Sequence, residues 1–174
     1  MNVKKIVVGE LLTNCYIVEK EETCLIIDPG AEPEKIIKHI DPDKRVVGIF
    51  ITHGHDDHTG AINDVYNKYI CPIYTANNLL EEEYEFDEFK FRVIRFPGHK
   101  EDSVAFYFEL EKVMFVGDFV FKAKSTKHHL SNFFNWYAAF RRNCGQIVVS
   151  VTPISSGCYP PPNTVARLDR QTIN

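Results

Sequence analysis

Thr52-His53-Gly54-His55-Asp56-Asp57-His58-Thr59-Gly60 decides how this chain is read. The order His-x-His-x-Asp-His packs three imidazoles and a carboxylate into one short segment. A folded core has no use for so many metal-capable groups together, whereas nitrogen and oxygen donors of this kind are the usual ligands of zinc and iron. Two side chains at i and i+2 in extended chain point to the same side, so His53 and His55 can grip one ion. Asp57 and His58 begin the next helix and can point elsewhere, toward a second.

The flanks place the segment. Residues 46–51 form a continuous apolar run, expected as a strand buried on both faces, which delivers the chain to His53. Beyond the segment, Ile62, Val65, Tyr66 and Tyr69 follow the i, i+3, i+4, i+7 spacing of an amphipathic helix. The segment therefore sits at a strand-to-helix junction, a common position for sites in layered folds. Upstream, residues 5–9, 15–19 and 23–28 read as short strands, and Asp28-Pro29-Gly30 as a turn. Residues 33–40 read as a short helix with Pro33 in its first turn and Ile36, Ile37 and Ile40 on one face. His39 is expected on its surface.

Downstream, residues 71–75, 89–96, 103–109 and 112–116 are strand candidates. Phe89, Phe91 and Val93 alternate with Lys90 and Arg92, so one face of that strand is expected to be wet. The acidic stretch 79–88 reads as a solvated face. Ser131 is placed to cap a helix carrying Phe133, Trp136, Tyr137 and Phe140, an aromatic stripe expected to pack in a core. Residues 146–151 read as a last strand, and from Thr152 the chain is rich in Pro and Ser.

Composition narrows the function. The 174 residues suit one domain, 1–174, with 44% hydrophobic and 25% charged residues. A net charge of -4 offers no nucleic-acid footprint. No apolar run reaches the roughly 18 residues of a membrane span. The five cysteines, at 15, 24, 71, 144 and 158, are odd in number and lack framework spacing, and the N-terminus has no signal-peptide pattern. A reducing cytoplasmic setting is the expectation.

Two more candidates stand at strand ends. Phe96-Pro97-Gly98-His99 sets an imidazole after one strand, and Val116-Gly117-Asp118 sets a carboxylate after another, where it could bridge two ions.

Taken in order, residues 52–60, Pro97-Gly98-His99 and Gly117-Asp118 resemble the metallo-β-lactamase superfamily, and within it the glyoxalase II-like hydroxyacylglutathione hydrolases. Thr13-Asn14-Cys15-Tyr16 and Asp28-Pro29-Gly30 support the likeness, which is strong over residues 1–122 and weak over 123–174. The resemblance implies an α+β fold, an αββα four-layer sandwich with a metal centre at one edge of its two sheets. It implies that His53, His55 and His99 hold a first metal, that Asp57 and His58 hold a second, and that Asp118 bridges. Zinc is the expected ion, with iron or manganese as alternatives. A metal-acidified water would attack a small acyl thioester or ester, and Asp57 would orient it or take its proton.

After Asp118 the likeness thins. Aligned without gaps, Lys127 falls where relatives carry an Arg that grips a substrate carboxylate; a solvated lysine is the other reading. Cys158, in Ser156-Gly157-Cys158-Tyr159, falls where the last metal-binding His is expected, and a thiolate can bind zinc. A plain loop or buried cysteine is the other reading, and it leaves the second site incomplete. His128 and His129 lie in a Lys-rich loop and read as exposed. True divergence and a frameshifted or truncated C-terminal region would both produce such a departure.

Three functions follow. The first is a metal-dependent hydrolase of a small thioester or ester. The second is a mononuclear-iron oxidoreductase of the sulfur dioxygenase type, built on the two-His-one-carboxylate set His53, His99 and Asp118. The third is an inactive metal-binding relative. A small-molecule substrate is expected, with neither nucleic acid nor membrane as partner.

Overall fold

The computed structural model describes residues 1–95, 97 and 99–118, with the backbone of 146–148. Its strands are β1 (Asn2–Val8), β2 (Thr13–Lys20), β3 (Thr23–Ile27), β4 (Arg45–Phe50), β5 (Ile73–Tyr74), β6 (Glu83–Phe86), β7 (Phe89–Arg95), β8 (Val104–Phe108), β9 (Val113–Phe115) and β10 (Gln146–Val148). Its helices are α1 (Pro33–His39), α2 (Asp56–Thr59) and α3 (Ile62–Tyr69). No helix among the described residues is long and apolar enough to cross a membrane.

The strands form two five-stranded sheets, ordered β1-β2-β3-β4-β5 and β10-β9-β8-β7-β6. In the first, β1, β2 and β3 are antiparallel, while β3, β4 and β5 run parallel. In the second, β6 to β9 are antiparallel and β10 joins β9 in parallel. Alternation along β2 explains how the layers stack. Tyr16 and Val18 join Leu25, Ile27 and Phe50 against Phe91, Phe106, Phe108 and Phe115 of the second sheet. Cys15 and Ile17 point the other way, with Cys24, Ile26 and Ile49, onto Ile36 of α1 and Val65 of α3. Phe50 anchors the inter-sheet core, edge-on to Phe91 and Phe106 at 5.3 Å between ring centroids. The described residues thus give a helical layer and two sheets of the α+β sandwich. The helix expected after Ser131, like Lys127, His128, His129 and Cys158, lies outside them.

Three local expectations need correction. The first strand begins at Asn2, and Gly9 belongs to the turn after it. The acidic stretch 79–88 contains an edge strand, β6. Its Tyr84 and Phe86 pack on the core while Glu83 and Glu85 face water, so four glutamates nearby disguised a period-two pattern. On α3, Tyr66 is 39% exposed, outside the buried face that Val65 defines.

Strand direction creates the site. The parallel pair β3 and β4 ends side by side, where the Asp28 N–H bonds the Phe50 carbonyl at 3.0 Å. The Val104 N–H reaches across to the Thr52 carbonyl at 2.8 Å and ties the second sheet to this edge. The chain leaves β7 toward His99 and β9 toward Asp118 at the same edge.

Candidate metal centre

Three imidazoles converge first. His53 Nε2 lies 3.0 Å from His55 Nδ1, and His99 Nε2 lies 2.9 Å from the same atom. The three rings are nearly perpendicular to one another, at 82–88°. The ligand atoms of all three lie within 4.8 Å of one another, close enough for one ion to be shared among them. His53 is buried, whereas His55 and His99 are partly exposed.

A second group adjoins it. His58 Nε2 is 3.3 Å from Asp118 Oδ1 and 3.5 Å from Asp57 Oδ2. His53, His58 and Asp118 each offer a ligand atom within 4.8 Å of the others, so His53 faces both groups. Asp118 also faces both, its Oδ2 lying 3.8 Å from His99 Nε2. His58 Nε2 and Asp118 Oδ1 are buried and meet without hydrogen-bond geometry, an arrangement that a cation between them would satisfy. These donors fit a transition metal. Lys127 and Cys158 fall outside the described residues.

Helix α2 explains why neighbouring residues serve different groups. His55 is its N-cap with extended dihedrals, so His53 and His55 precede the helical turn, while Asp57 and His58 lie within it. Two acidic residues, Asp56 and Asp57, sit favourably in the first turn. Gly30 is required behind the helix, because a Cβ there would come within 1.6 Å of the Asp57 carbonyl oxygen.

A buried carboxylate beneath the centre sets the proton positions. Asp28 accepts the Thr52 N–H at 2.8 Å and the Thr52 hydroxyl at 2.6 Å, and faces His58 Nδ1 at 3.0 Å. With its proton given to Asp28, Thr52 Oγ is an acceptor for His53 Nδ1 at 3.1 Å. Both histidines then carry a proton on Nδ1, and His53 Nε2 keeps its lone pair toward His55 and His99. On the other side of the centre the Thr13 hydroxyl donates to Asp57 Oδ2 at 2.7 Å.

The electrostatics follow from burial and charge. Burial, with the charged His58 beside it, pushes the His53 imidazolium down to about 4. Burial would do the same to His58, but the Asp118 and Asp28 carboxylates outweigh it and raise it to about 10. Asp118 is buried too, yet His58 holds its carboxyl below the usual range. Positive charge is thus favoured at His58, between two carboxylates, and disfavoured at His53.

Asp28 and Thr52 Oγ, as partners of the histidines, and Thr13, as the partner of Asp57, were not singled out by sequence. For Asp28 a signal existed: a carboxylate directly after a buried apolar strand must find donors.

Residues 8–94 match the family model of the metallo-beta-lactamase superfamily. An uncharacterized protein of Aquifex aeolicus is 33% identical over 153 residues, covering 70% of this chain and 72% of that protein. Hydroxyacylglutathione hydrolase GloC of Haemophilus influenzae is 28% identical over 155 residues, covering 70% of this chain and 73% of that protein. The solved structure of TTHA1623 in a di-iron-bound form superposes with a TM-score of 0.67 at 24% identity, covering 86% of this chain and 92% of the other. The chain belongs to the metallo-beta-lactamase superfamily.

Proposed function

We propose that this chain, a metal-dependent hydrolase by family, cleaves a small acyl thioester or ester. The observation that carries the reading is the convergence of His53, His55 and His99 beside a second group of Asp57, His58 and Asp118. His53, His55 and His99 would hold one ion, Asp57 and His58 the other, and Asp118, which faces both groups, would be shared. Bound ions would supply Lewis acidity and a water acidified toward neutral pH. Asp57, with one oxygen engaged by Thr13, would orient that water or accept its proton. Partly exposed His55, Asp57 and His99 leave the substrate an open side. A thiolate leaves without a proton donor, which favours thioesters. GloC's name points the same way, toward an acyl-glutathione.

The test is hydrolysis of an acyl-glutathione thioester by full-length chain stripped with chelator and reloaded with zinc, manganese or iron. Turnover should return with metal and fall at least 100-fold in His55→Ala. Failure to take up any of the three metals, or unchanged turnover in His55→Ala, refutes the proposal. One observation favours a second reading: His99 Nε2 and Asp118 Oδ2 are 3.8 Å apart and, with His53, make a two-His-one-carboxylate set. Iron in the purified protein and oxygen consumption on a persulfide would select an oxidoreductase instead.

A further inference from the structure

We propose that Lys100 and Asp102 are positioning residues that lock the His99 turn onto the His53–His55 turn and thereby set the metal affinity of the three-histidine cluster. The inference rests on the metal-binding reading above. Gly54 stands between His53 and His55, and both polar groups around it are taken by the other turn. Its N–H donates to Asp102 Oδ2 at 3.0 Å, and its carbonyl accepts from Lys100 Nζ at 2.5 Å. The two side chains pair with each other at 3.6 Å. Lys100 directly follows His99, so the clamp acts one residue from a metal-facing imidazole.

The turn carrying the clamp is itself closed. The Lys100 N–H donates to Ser103 Oγ at 3.2 Å, and the Ser103 N–H donates to the Lys100 carbonyl at 3.2 Å. With the Val104 N–H on the Thr52 carbonyl, the His99 turn is fastened on both sides of His53. Such fastening is needed because His53 Nε2 and His99 Nε2 both crowd His55 Nδ1, at 3.0 and 2.9 Å, which a single ring proton satisfies only in part. Without an ion, mobile turns would let the rings part. Preorganisation of this kind raises affinity by removing the cost of assembling the ligands. Global stability owes the clamp little, since Lys100 and Asp102 are each about one-third exposed.

A Cβ on Gly54 would lie 2.9 Å from both Asp102 Oδ2 and Lys100 Nζ. Gly54→Ala therefore displaces the clamp by contact with two flexible side-chain ends, without altering either residue.

The experiment is zinc competition against a chromophoric chelator, using metal-free full-length chain. His55→Ala identifies the uptake that belongs to this cluster. Lys100→Met, Asp102→Ala and Gly54→Ala are each expected to weaken that uptake by about tenfold. The double variant Lys100→Met/Asp102→Ala should lose no more than either single one, because the two act as a unit. Lys100→Arg should restore binding, and the thermal midpoint of metal-free protein should stay at the native value. Cobalt-loaded variants should show an altered visible spectrum. Native affinity in the single variants overturns the inference while sparing the proposed function. Additive losses, or losses matched by destabilisation of metal-free protein, also overturn it. A native chain with no His55-dependent uptake overturns both.

Discussion

Replacing Asp28 probes the hydrogen bonds beneath the metal centre. Its carboxylate is fully buried and meets three donors: the Thr52 N–H at 2.8 Å, the Thr52 hydroxyl at 2.6 Å and His58 Nδ1 at 3.0 Å. Each buried donor left stranded costs about 1–3 kcal/mol. Removing the carboxylate also relieves its own burial, so Asp28→Ala should destabilise metal-free protein by about 3–5 kcal/mol, the range for breaking a buried pair. At this chain length that lowers the thermal midpoint by roughly 6–20 °C. Asp28→Asn separates stability from proton placement. Its amide oxygen can keep the Thr52 N–H, but its NH2 must then donate to Thr52 Oγ. The Thr52 proton turns to His53 Nδ1, and His53 is forced to carry its own proton on Nε2, the atom facing His55 and His99. The NH2 also faces His58 Nδ1, whose proton loses its acceptor, so the Asn variant should lose about 1–3 kcal/mol and bind zinc 10–100-fold more weakly. Urea unfolding of stripped protein and zinc competition measure the two effects. Native zinc affinity in Asp28→Asn would refute the proposed proton arrangement, whatever its stability.

Thr13→Val keeps side-chain shape but removes the hydroxyl that bonds Asp57 at 2.7 Å. Thioester turnover should fall about tenfold with substrate KM little changed, and Thr13→Ser should recover it. Burial and nearby Asp28 raise the Cys15 thiol, burial and Glu19 push Cys24 up to about 12, and burial raises Cys71. A raised pKa depletes the reactive thiolate, so at pH 8 iodoacetamide should label these three only after unfolding. Peptide mass spectrometry checks this, and native-state labelling at a free-thiol rate would contradict it. Gly117 has φ +55°, and a Cβ there would come within 2.5 Å of Thr52 Oγ, which Asp28 and His53 hold in place. Gly117→Ala should cost about 1–3 kcal/mol in urea unfolding, and an unchanged midpoint would show that Thr52 yields.

Residue chemistry and short-range periodicity carry the readable part of this protein. The apolar run of β4 ends at His53, and an imidazole and a carboxylate follow β7 and β9, so strand ends with metal-capable residues could be read before any contact was known. Strand β6 was hidden because Glu81 and Glu82 precede it and Glu83 and Glu85 lie within it, although Tyr84 and Phe86 supply the alternation that packs. The residues that support the site were hidden for another reason: threonine, aspartate and lysine are ordinary surface residues until the fold removes water or brings a partner. Thr13 acquires its role from Asp57, 44 positions away, and Asp102 from Gly54, 48 positions away. Local periodicity contains no trace of such pairings. The likeness read from the sequence rests on the histidines and aspartates, whereas affinity depends on how firmly those groups are held together. A chain retaining His53, His55, Asp57, His58, His99 and Asp118 but losing Asp28 or Thr13 would still read as the same protein. Its ring protons and carboxylate orientation would differ, and so would the ion it could keep.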